Sequence, residues 1–243
     1  MKHQEDNSVK PADLHSIDFL IKKRNVFLYR GYCSQTPCII KCTSSKAPNV
    51  LHAFYDEYHV MKTISVPGIP RYFWISEDFH PPGQEKAFLA LCMEECPKEP
   101  AVDLAWCSPG DILSIVYDTS LLLYRLLQHG VLYTDLNPSN LILHREGDRI
   151  SVCLVDFTYC YYFLKNPYPD YALRFSYDLS FELKGQQLLI RELGFLLKEL
   201  MELSSPAEVP SGVYSLMETG LNPGSHLQLE DYISLIKNTA LAL

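Results

Sequence analysis

The segment from residue 133 to residue 158 constrains the fold of this chain more than any other. It reads YTDLNPSNLIL over 133–143, continues with a turn signal at Arg145, Glu146, Gly147 and Asp148, and follows it with the apolar run ISVCLV over 150–155. Asp156, Phe157 and Thr158 come next. Two short apolar runs around a glycine-containing turn read as a β-hairpin. Pro138 holds the backbone before it extended, so Asp135 stands on a loop. Closing the hairpin returns the chain to its start and brings Asp156 near Asn140. A carboxylate on a loop can accept a proton from a hydroxyl. Asn140 and Asp156 offer hard oxygen donors of the kind that suit Mg²⁺. Two acids and an amide on short loops beside strands are the components of a phosphoryl-transfer site.

The order and spacing of these residues resemble the protein-kinase superfamily, whose catalytic loop reads H-R-D-L-x-x-x-N and whose metal loop reads D-F-G. The resemblance implies that Asp135 is the catalytic base, Asn140 the second metal ligand and Asp156 the principal metal ligand. It extends upstream. The run CIIK over 38–41 resembles the V-A-I-K strand, which implies that Lys41 contacts nucleotide phosphates. In LHAFYDEYHVM over 51–61, Leu51, Phe54, Tyr58 and Met61 recur at helical spacing. As the counterpart of helix C, this segment implies that Glu57 pairs with Lys41. RYFWI over 71–75 and AFLALCMEEC over 87–96 are similar to the fourth strand and to the fifth strand with its hinge. By that likeness Met93 is the gatekeeper, and backbone groups of Glu94, Glu95 and Cys96 meet adenine. Ser108, Pro109, Gly110 and Asp111 start a long helix that Gly130 closes.

The expected fold is therefore α+β and bilobal. Residues 1–12 form a flexible leader, 13–96 a small antiparallel β lobe with helix C and the hinge, and 97–243 a larger helical lobe with a reduced helix G region. ATP is the expected nucleotide, lying between the lobes, with Mg²⁺ as its metal and Mn²⁺ as an alternative. A Ser/Thr hydroxyl of a protein, or a Tyr hydroxyl, is the expected acceptor.

Several positions depart from the family pattern. A single glycine, Gly31, stands in the stretch LYRGYCSQT over 28–36, where the resemblance looks for a glycine-rich phosphate loop. Ile39 replaces the small residue over adenine and narrows that pocket. Tyr133 and Thr134 replace the histidine and arginine before the base, which leaves no receptor for an activation-loop phosphate. Asn137 replaces a lysine, a loss that typically costs on the order of 100-fold in rate. Thr158 replaces the glycine after Phe157 and stiffens that loop. The run QLLIRELGFLLKEL over 187–200 reads as helix F, with Leu189 in place of its anchoring aspartate. Helices are expected again near 212–217 and 229–236. The aromatic stretch 159–171 lacks an Ala-Pro-Glu anchor, and its tyrosines read as packing residues more than as phosphorylation sites.

Composition bounds the alternatives. With 243 residues and 47% apolar content, the chain can bury a sizeable core. A net charge of −8 argues against nucleic acid or an anionic membrane as the main partner. No run reaches the length of a membrane span, and the polar start MKHQEDN is unlike a signal peptide. The eight cysteines are read as reduced, including Cys38, Cys92, Cys96 and Cys153, which makes a cytoplasmic location the expectation and a secreted effector the alternative. Their spacing does not suggest zinc. Two other functions share the pattern. One is a pseudokinase, a binding module lacking catalysis, and the other is a small-molecule kinase of the aminoglycoside or choline type, whose loop also reads D-x-x-x-x-N.

Overall fold

Strand-forming alternation fills the first part of the chain and helical periodicity the last, and the computed structural model divides accordingly. It describes residues 13–97, 99–147, 149–158, 160–162, 179–204, 206, 208–224 and 226–243. The expected leader 1–12 and most of the aromatic stretch, Tyr159 and residues 163–171, lie outside the described residues. The chain separates into two compact units, one of residues 1–65 with 70–96 and one of residues 66–69 with 97–243.

In unit 1, strands β1 (Leu14–Lys23), β2 (Val26–Cys33), β3 (Thr36–Thr43), β4 (Tyr72–Phe79) and β5 (Phe88–Glu94) form one antiparallel sheet in the order β1-β2-β3-β5-β4. Side chains alternate across a strand. Cys38, Ile40 and Cys42 of β3 therefore share a face and pack with Tyr29, Trp74, Phe79, Phe88, Ala90 and Cys92 in the core of the unit. Ile39 and Lys41 project from the other face. Helix α1 (Pro48–Met61) begins with Pro48, whose missing N–H is no loss in a first turn. It buries Phe54, Glu57, Tyr58 and Met61, a 3-1-3 spacing that defines one helical stripe.

In unit 2, helix α2 (Pro109–Gln128) starts at a capping box. Ser108 Oγ accepts from the Asp111 N–H, and the Asp111 carboxylate accepts from the Ser108 N–H. Gly130, at φ 76°, turns the chain out of this helix into β6 (Val131–Leu132), which pairs with β9 (Tyr161–Tyr162). The expected hairpin is β7 (Leu141–Glu146) with β8 (Arg149–Leu154), turning at Gly147, where φ is 62°. The helix expected over 187–200 is longer, α3 (Leu179–Ser204). Gly185 lies inside it, with room for a Cβ against Leu132, so the glycine does not mark a start. Helices α4 (Ser211–Leu221) and α5 (Leu229–Leu241) also run past the expected ends. α3 and α4 cross where Gly194 meets Gly220. A Cβ on Gly194 would lie 2.7 Å from the Gly220 carbonyl carbon, so only glycine permits this approach.

The cysteines correct one expectation. Cys33, Cys38, Cys42, Cys92, Cys107 and Cys160 are free thiols, whereas Cys96 and Cys153 are disulfide-bonded. Sequence spacing carried no sign of this, since each of these cysteines sits within an otherwise apolar run. No helix is long and apolar enough to cross a membrane among the described residues.

Candidate functional site

Each unit holds one cluster of the expected side chains. In unit 1, strand alternation turns Lys41 of β3 away from the core cluster, and helical spacing turns Glu57 of α1 inward. Lys41 Nζ lies 3.0 Å from Glu57 Oε2 and 3.4 Å from Oε1. The two side chains are 6% and 0% exposed, so both charges are desolvated. The Tyr72 hydroxyl of β4 also donates to Glu57 Oε1, at 2.8 Å. Ile39, two residues before Lys41, shares its face and stands opposite Met93 of β5, which is buried.

The segment Glu94–Cys96 and Gly31 make the following contacts within unit 1. The Glu94 N–H donates to the Arg71 carbonyl at 2.8 Å, and the Glu95 N–H donates to the Pro37 carbonyl at 3.0 Å. Both amides are satisfied within unit 1. Their side chains are spent too. Arg71 forms a two-pronged pair with Glu94, 2.9 Å at each prong, and Arg30 lies 2.8 Å from Glu95. Cys96 is buried as well as disulfide-bonded. Gly31 is not in a loop. It is a buried position within β2, paired with Cys38, and a Cβ there would come 3.2 Å from the His15 carbonyl oxygen. Its smallness serves strand packing. The turn joining β1 to β2 runs through Arg24, at φ 57°, and Asn25, and contains no glycine.

In unit 2, backbone and side chains stitch the two loops of the site together. Tyr133 is fully buried. Its hydroxyl donates to the Val155 carbonyl at 2.7 Å, and its ring meets Phe157 edge-on at 5.3 Å between centroids. Burial pushes this phenol up, which keeps it a neutral donor. The Val155 N–H in turn donates to the Asn140 carbonyl at 3.0 Å. The segment carrying Asp156 is thus fastened to the loop carrying Asp135 and Asn140.

Asn140 Nδ2 donates to the Asp135 carbonyl at 2.8 Å and to Asp135 Oδ2 at 3.1 Å. With its nitrogen turned to Asp135, the amide presents its oxygen on the opposite side. Asn137 Nδ2 approaches the same carbonyl at 3.0 Å and Asp135 Oδ1 at 3.4 Å. Asn137 is therefore a second clamp on Asp135. Asp156 adopts φ 63°, a left-handed conformation that costs a residue bearing a Cβ roughly 1–2 kcal/mol. The Thr158 hydroxyl donates to Asp156 Oδ1 at 2.8 Å, which steadies the carboxylate.

Glu192 of α3 is a residue that sequence reasoning passed over. It is half-buried and feels the charge of Asp135. Burial pushes its carboxyl up, Arg191 opposes that shift, and Asp135 and Glu199 add to it. Tyr72 was equally hidden, because strand alternation gives its face but not its partner fifteen residues earlier. Leu189 of α3 is fully buried and apolar.

No family model matches this chain, and a comparison with curated proteins finds no relative.

Proposed function

We propose that this chain is a divergent ATP-dependent phosphotransferase of the protein-kinase type, transferring the γ-phosphoryl group of ATP to a protein hydroxyl. The observation that carries the reading is Asp156, held at a strained φ beside a loop in which Asn140 clamps Asp135. Strain of this kind persists where the surroundings fix it and clusters at functional sites. Asp156 and Asn140 supply hard-oxygen donors of the type that Mg²⁺ takes, a metal that prefers few protein ligands and keeps its waters. When bound, such a metal neutralises charge on the phosphates.

Under this reading Asp135 orients the acceptor hydroxyl and takes up its proton, while Asn137 and Asn140 keep the carboxylate in one rotamer. Lys41 supplies a cation for the phosphates. The buried Lys41–Glu57 pair supports that role on energetic grounds. A desolvated ion pair is often no more stable than the apolar residues that could replace it, so its presence is better explained by what the ammonium binds.

A second reading, a binding module without catalysis, is favoured by the glycine-free β1–β2 turn and by the hinge amides already spent within unit 1. A thermal-shift titration with ATP, with and without Mg²⁺ or Mn²⁺, separates the two. The informative variant is Asp156→Asn, since asparagine tolerates φ near 60° and alters the charge alone, whereas alanine adds backbone strain. The phosphotransferase reading expects metal-dependent stabilisation of about 2.7 kcal/mol at a hundredfold excess of ATP over Kd, lost in Asp156→Asn. Absence of any shift in the wild type favours the binding module.

A further inference from the structure

β1 is an edge strand. Among the described residues no strand pairs with its outer side, and it carries three consecutive exposed apolar residues, Phe19 at 55%, Leu20 at 38% and Ile21 at 52%. A long edge of this kind invites another strand. The opposite edge of the sheet is protected. β4 carries the adjacent acids Glu77 and Asp78 just before its last residue, and Glu77 also accepts the Tyr55 hydroxyl from α1. Two copies of that edge would repel each other.

The charges flanking the β1 patch identify its occupant. Reading outward from Leu20, the strand has Phe19 and Asp18 on one side and Ile21 and Lys22 on the other. If a second β1 lies antiparallel with Leu20 opposite Leu20, Phe19 faces Ile21 and Asp18 faces Lys22, twice over by symmetry. Moving the centre to Phe19 sets Asp18 against Leu20, and moving it to Ile21 sets Leu20 against Lys22. A parallel arrangement sets Lys22 against Lys22. One register alone satisfies both charge and apolar contacts. Asp18 is ready for such a partner. It has no ion pair among the described residues, because its cross-strand neighbour Arg30 is held by Glu95. Lys22 is exposed, with its ammonium 4.9 Å from the Phe27 ring centroid. Of the two register irregularities of β1, one falls between Phe19 and Ile21 and so lies on the two-fold axis of this pairing, while the other, between His15 and Asp18, precedes the Asp18–Lys22 segment that makes the contacts.

We infer that the exposed edge of β1 docks a second copy of this chain, forming a closed two-fold dimer through antiparallel β1–β1 pairing centred on Leu20 and fastened by Asp18–Lys22 contacts. This assembly is independent of the proposed catalysis. A narrow patch predicts a weak dimer at the low end of interface size.

Sedimentation velocity of the full chain over a wide concentration range tests it, with Asp18→Lys and Lys22→Asp as variants; both sites are exposed, and circular dichroism checks their folding. Wild type should dimerise with concentration. Each variant turns two attractive contacts repulsive and should weaken association roughly tenfold or more. An equal mixture of the two variants restores opposite charges at both ends and should dimerise at least as well as wild type. A wild type that stays monomeric, single variants that dimerise unchanged, a mixture that fails to associate, or open polymers in place of dimers would each overturn the inference.

Discussion

Replacing Lys41 by methionine strands a charge where water cannot reach it. Methionine keeps most of the apolar stem, so the change removes the ammonium and little packing. Glu57 is then left fully buried without that cation, while still accepting from Tyr72. Breaking a buried pair by removing one partner costs about 3–5 kcal/mol. A hydrogen bond to a charged group is worth about 1.5–3 kcal/mol; Tyr72 retains one, which sets the expected loss near the lower figure, about 3 kcal/mol. With a urea slope of about 2 kcal/mol per molar, the midpoint should fall by about 1.5 M. The double variant Lys41→Met with Glu57→Gln carries no stranded charge, and its amide can still accept from Tyr72. It should return to within about 1 kcal/mol of wild type. Tryptophan fluorescence follows this directly. Trp74 is 4% exposed and lies in the same unit as the pair, whereas Trp106 is 86% exposed and should change little on unfolding. A Lys41→Met midpoint within about 0.3 M of wild type, or a double variant no better than the single one, refutes the desolvation argument.

Gly194→Ala drives a Cβ into the backbone of Gly220 and Leu221, at 2.7 and 2.8 Å. It should cost about 2–3 kcal/mol, or roughly 4–12 °C in melting temperature, while Gly110→Ala in the open first turn of α2 should cost nothing. Equal melting temperatures for the two variants would show that α3 and α4 can separate cheaply. Glu192→Gln tests the raised carboxyl. A raised folded-state pKa means that the native protein holds this proton more tightly than the unfolded chain, so stability declines as pH climbs from the ordinary glutamate range through the raised value. Glutamine cannot titrate. The variant should therefore outlast wild type in thermal unfolding at about pH 8 and match it near pH 4, and a difference independent of pH would rule the argument out.

Much of the local structure is legible in the sequence because it rests on local physics. The capping box at Ser108 and Asp111, the turn at Gly147 and the Phe54–Glu57–Tyr58–Met61 stripe each follow from spacing along a few residues. Lys41 and Glu57 were brought together by the family resemblance, and strand and helix periodicity agree with it. What stayed hidden depends on contacts across elements. Tyr72 reaches Glu57 only once β4 has paired with β5. Arg71 and Pro37 consume the amides of Glu94 and Glu95 through sheet register, which no single segment displays. Gly31 was read as a loop residue because glycine permits loops, yet here the neighbouring His15 carbonyl explains its size. Glu192 needed the packing of α3 before its nearness to Asp135 had meaning.

The β7–β8 hairpin also orders events during synthesis. Asp135, Asn140 and Asp156 are linked to one another by a hairpin and by bonds spanning no more chain than Tyr133 to Val155, so these links between them lie within a short stretch of chain. Hairpins form in about 1–10 μs, whereas a ribosome adds about 5–20 residues each second. Once α2 is present to pack on β8, the three groups can gather well before α3 has been translated. Glu192 then arrives late, as a charge delivered to an acid already in position.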